Sequence, residues 1–127
     1  MGRFRAYGKK IVPYIGHIPN EIPEYTFGVK SNSDGDGFEY LAGVSVTSFD
    51  GVPQEFRTLR IPAQTYAVFM HRGHISTIRE TMKAIWNAYI PQSGLKPVDA
   101  PDYESYSRLF DPKTGNGQVE IFIPIQP

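Results

Sequence analysis

Two stretches of this chain follow one plan, and that limits what it can fold into more than any other feature does. Residues 22–44, IPEYTFGVKSNSDGDGFEYLAGV, and residues 100–125, APDYESYSRLFDPKTGNGQVEIFIPI, each run proline, acid, tyrosine, an alternating segment, a polar glycine-rich turn, and a second alternating segment with an inner Glu. Alternation flanking such a turn is the signature of a β-hairpin. Two matched hairpins, each preceded by a proline-containing linker and a candidate helix, point to an internal duplication of a helix-strand-strand unit. The copies differ in one charged position: the second carries Glu104 between two tyrosines, where the first reads Thr26 and Phe27.

The strongest helical signal lies between Thr77 and Ile90, where Ile78, Met82, Ile85, Trp86 and Tyr89 fall on one face. Thr77 and Glu80 have the spacing of a capping box, and Pro91 followed by Gly94 predicts the end of the helix. The segment FRTLRIPAQTYAVFMHRG is β-branched and aromatic, with Pro62 marking a bend or edge. Phe4, Tyr7 and Ile11 have the spacing of a short N-terminal helix. Together these give one α+β domain over residues 1–127, an antiparallel sheet with helices on one face.

Side chains alternate along a strand, so Asp102, Glu104 and Tyr106 share a face. In the partner strand Val119, Ile121, Ile123 and Ile125 form an apolar stripe suited to lie under helices. That leaves Glu104 and Tyr106 to join Phe122 on the other face, with Glu120 able to approach Glu104 across the hairpin. A solvated surface acid and a pocket carboxylate are equally compatible with alternation.

Composition removes several function classes. Thirteen basic residues offset thirteen acidic ones, so there is no electrostatic footprint for nucleic acid or an anionic membrane. Without cysteine there is no disulfide, thiolate metal site or cysteine nucleophile, which suits a reducing cytoplasm. The opening MGRFRAYGKK has no apolar run long enough for a signal peptide or a spanning helix. Asn32, Asp34, Asp36 and Gly37 have calcium-loop spacing, but Gly43 stands where a bidentate Glu is required, so the stretch reads as a turn. His71, His74 and His17 read as surface histidines, with no metal site. There is no nucleophile elbow, HExxH or phosphate-cradling loop.

The ordered blocks YLAGVSV, RIPAQTYAVFMHRG, IWNAYIPQSG, PDYESY and VEIFIPI resemble the gyrase-inhibitor-like effector-binding domain, found in AraC-type and MerR-type bacterial transcription activators and also free-standing. The resemblance runs from about Ile18 to Ile125. It implies a duplicated unit with a ligand pocket between the halves, no cofactor, and no direct contact with nucleic acid. Glu104 would face an aromatic or lipophilic cation. Trp86 and Tyr89 would supply aromatic wall, with Tyr40, Phe122 and Tyr106 beside them. Relatives begin with an additional strand and helix, so the first unit here reads as shortened, and its unpaired edge would suit a homodimer that completes the sheet. The resemblance also admits a hydrolase using the pocket glutamate on reactive small molecules, and a protein-interaction role such as gyrase modulation.

Overall fold

A computed structural model describes residues 3–6, 14–34 and 37–127. Both predicted hairpins form: Thr26–Asp34 (β2) pairs with Gly37–Ser45 (β3), and Asp102–Asp111 (β6) with Asn116–Pro124 (β7). The first strands of the two hairpins pair antiparallel, Gly28 opposite Glu104. Arg3–Ala6 (β1) lies on β3, Tyr66–His74 (β5) on β7, and Arg57–Arg60 (β4) on the far side of β1, giving one sheet in the order β4-β1-β3-β2-β6-β7-β5. Leaving out β4, this order reads the same from either end. The duplication has therefore become a pseudo-two-fold axis between β2 and β6.

Two expectations for the N-terminus are corrected. Phe4 lies in a strand rather than a helix, while Tyr7 and Ile11 fall outside the described residues. β1 lies on β3 with β4 beyond it, so the edge of β3 is covered within the chain and the sheet ends at β4 and β5. The helix of the second unit is the one helix longer than a turn among the described residues.

That helix departs from its predicted ends for physical reasons. It opens as a tight turn at Ile75–Thr77, continues as Ile78–Ala84 (α1), widens over Ile85–Tyr89 and closes as Ile90–Ser93 (α2). Thr77 makes no capping bond; the His74 ring instead accepts from the Ser76 amide. Pro91 does not stop the helix. Its ring would strike the carbonyl four residues back, but the widened turn, in which the Ile90 N–H reaches Ile85 O, re-spaces those carbonyls before the proline arrives. Gly94, at φ 82°, then ends the helix in the left-handed conformation that glycine adopts without strain.

Cross-strand partners share a face, so the register sorts the side chains. On the helix face, Ile85 and Ile90 pack on Ile121, Ile123 and Ile125, with Phe69 and Met82 against them. Each fully buried isoleucine contributes about 1.5–3 kcal/mol. At the other end of this face Ile18 and Phe56 cover Val44 and Val46, and the segments that bring them sit outside the sheet. On the opposite face Ile61 packs on Val29 and Leu41. Ile61 belongs to the link 61–65 between β4 and β5, which are the two edges of the sheet. A flat sheet would separate those edges by roughly 29 Å, whereas the link spans at most about 21 Å. The sheet must therefore curl towards Ile61.

His71, expected at the surface, is only 3% exposed. Its Nε2–H donates to His74 O (3.0 Å), which leaves Nδ1 to accept from the Thr81 hydroxyl at 2.6 Å. It is a buried strut between β5 and α1.

Candidate functional site

One row of partners crosses the helix face: Phe69, Ile121, Glu104, Gly28, Ala42. Phe69 and Ile121 lie under the helix, and Ala42 lies under the Ile18 and Phe56 cover. Glu104 and Gly28 fall between the two covers, at the pseudo-two-fold axis. The central pair between the two covers is a carboxylate beside a residue with no side chain.

Here the expected face is corrected. Even-numbered residues of β6 pair with odd-numbered residues of β7, so Glu104 and Tyr106 share the helix face with Ile121 and Val119. Phe122 lies on the opposite face, stacked on Tyr103 with centroids 4.6 Å apart. Glu120 is opposite Ser105, so it does not approach Glu104 and the two do not form a catalytic pair.

Three of the expected residues do come together. Glu104 is 9% exposed, and Tyr106 donates its hydroxyl to Glu104 Oε2 at 2.8 Å. Tyr40, on β3, reaches across β2 until its hydroxyl occupies the space over Gly28 that a β-carbon would fill. The Tyr40 phenol lies close enough to Tyr106 for the two to influence each other's ionisation. The result is a cluster of two phenols beside the carboxylate.

The electrostatics follow from burial beside a negative charge. The Tyr40 phenol is pushed up to about 12, first by burial and then by Glu104. Burial, the Glu104 charge and the hydrogen bond to it push Tyr106 further in the same direction. Asp102, which shares this face two residues away, is raised by burial and partly restored by Lys30 opposite it. Gly28, Lys30 and Asp102 were missed in the sequence. Their one signal was alternation, and alternation does not say which face matters.

The helix aromatics divide. Tyr89 packs edge-on against Phe69 at 5.2 Å, on β5 and two strands from Glu104. Trp86 lies in the widened turn with 38% of its surface exposed. A groove of about 380 Å³ is lined in part by Ile15, Thr26, Tyr40, Ala42, Tyr106 and Phe110. No metal-binding cluster of His, Cys, Asp or Glu occurs among the described residues, and no helix among them is long and apolar enough to cross a membrane.

A model of the integron-associated effector binding protein family, Cass2, matches residues 4–125. The chain belongs to this family. Like other effector-binding domains it has relatives among regulators: the transcriptional regulator BrlR of Pseudomonas aeruginosa is 36% identical over 104 residues, covering 81% of this chain. The chain spans 38% of BrlR's length. Among solved structures, SAV2435 bound to tetraphenylphosphonium superposes with a TM-score of 0.74 at 20% identity, covering 94% of this chain and 72% of that one. The C-terminal domain of EcmrR superposes at 0.71 with 16% identity, covering 98% and 90%. These two likenesses establish the effector-binding fold expected from the sequence blocks.

Proposed function

We propose that this effector-binding domain takes up a lipophilic aromatic cation in the cleft between its halves, with Glu104 as the counter-charge. The carrying observation is the position of Glu104: a 9% exposed carboxylate at the pseudo-two-fold axis, accepting a hydrogen bond from the Tyr106 phenol. An aromatic surround desolvates a bulky organic cation at little cost and attracts it through the ring faces, while the single carboxylate selects its charge. Trp86 supplies wall from the helix side and Tyr40 and Tyr106 from the sheet. Tyr89 acts indirectly, by packing the helix on β5. The bound tetraphenylphosphonium of SAV2435 supports this ligand class.

The regulator relatives favour a sensor over a hydrolase that would use Glu104, and Glu120, on the other face, supplies no second carboxylate to such a hydrolase. The regulator relatives support a role in which ligand occupancy is read by a DNA-binding partner or segment. Calorimetric titration with tetraphenylphosphonium, and with triphenylphosphine oxide as a neutral analogue, tests the reading. Glu104→Gln should weaken the cation by about tenfold or more, the worth of a charge-assisted contact, and leave the neutral compound little changed. Equal losses for both would reject the counter-charge.

A further inference from the structure

Glu104 is not open to the groove. Tyr40 and Tyr106 line the groove, whereas the 9% exposed carboxylate does not. Tyr40 is anchored on β3 opposite Lys30, yet its hydroxyl rests over Gly28, the residue directly across from Glu104. Any side chain at Gly28 would coincide with that hydroxyl, so the seat exists only because the residue is glycine. About half of Tyr40, 48%, is exposed, so the ring has room to leave this seat.

From this geometry we propose that Tyr40 is a gate: seated on Gly28 it seals Glu104 from the groove, and a ligand reaches the carboxylate only when the ring swings off that seat. The inference rests on the cleft reading above for what passes the gate, but the gate itself concerns the accessibility of one carboxylate. Glu104 is satisfied by the Tyr106 hydroxyl while the gate is shut, so the empty cleft does not leave a buried charge without a partner. An entering cation replaces that hydroxyl as the partner of the carboxylate. Gly28 thus becomes a positioning residue for Tyr40. Substituting it evicts Tyr40 without touching any group that would contact the cation's charge.

The test uses the full chain without ligand. A water-soluble carbodiimide and an amine label accessible carboxylates, and peptide mass spectrometry reads the modification rate at Glu104. Tyr40→Ala removes the gate, and Gly28→Ala forces the intact ring from its seat. Each should speed labelling of Glu104 by about fivefold or more through a shift towards the open population, with the rate at the exposed Glu55 as the internal standard. Unchanged labelling in both variants overturns the gate. If Gly28→Ala does not fold, unchanged labelling in Tyr40→Ala overturns it alone. Stopped-flow association of tetraphenylphosphonium separates the two readings. A matching rise in association rate supports both, whereas faster labelling with no cation uptake by any of the three proteins supports the gate and rejects the cation.

Discussion

Tyr40 and Tyr106 are part-buried phenols beside Glu104, and their protons are held more tightly in the folded protein than in an unfolded chain. The ordinary tyrosine value is 10.0, and Tyr40 and Tyr103 are raised to about 12 by burial, with Tyr106 raised further. Between those values the unfolded chain loses phenolic protons that the native state keeps, so stability falls as pH rises. The contribution is complete below about pH 10 and is lost as pH climbs through the folded-state values. Urea midpoints should therefore drop between about pH 9 and about pH 11, and Tyr106→Phe should flatten that drop. An unchanged slope in the variant would mean that Tyr106 is not held as the structure has it. The residue types at this site were legible in the sequence, since PDYESY singled out Glu104 and Tyr106. Their neighbours were not, because Gly28 has no side chain to signal a role and acts only by being small where another ring needs room.

Among the elements, the helix shows where local rules hold and where they yield. The apolar positions Ile78, Met82 and Ile85 lie on the sheet as the 3.6 period predicts. The ends moved because tertiary partners intervened: His74 took over the cap, and the widened turn carried the backbone past Pro91. His71 fixes this helix to β5 through Thr81, and it is nearly inaccessible to water. Thr81→Val keeps the shape and leaves a buried ring nitrogen without a partner, at a cost of about 1–2 kcal/mol. Chemical denaturation should register that loss, and Thr81→Ser, which keeps the hydroxyl, should recover most of it. Equal stability of Thr81→Val and the parent protein would remove the strut.

At the scale of the molecule, the short link 61–65 does more than connect two strands. It joins opposite edges of the sheet and places Ile61 on Val29 and Leu41, so the curl of the sheet and the packing of this face depend on each other. Ile61→Ala should cost about 2–5 kcal/mol. Because Ile61 lies on the face away from Glu104, cation affinity in the variant that remains folded should match the parent. A large stability loss with unaltered binding would separate the two faces by experiment, and a small loss would show that the link merely rests on the sheet.

Read alone, the amino-acid sequence specified the paired hairpins, the helix between β5 and β6, the duplication, and the carboxylate that only one half carries. Each is a local pattern, written in periodicity, turn residues and block order over a few tens of residues. The tertiary structure decided which face of β6 looks into the cleft. Alternation divides a strand into two sets of side chains but cannot rank them; a one-residue change in pairing exchanges the faces. The register of β6 on β7, set by the turn and by what the helix buries, put Glu104 beside Ile121 and sent Phe122 to the other side. The pairing of β2 with β6 then brought Gly28 opposite Glu104 from 76 residues away, a meeting that only chain folding creates.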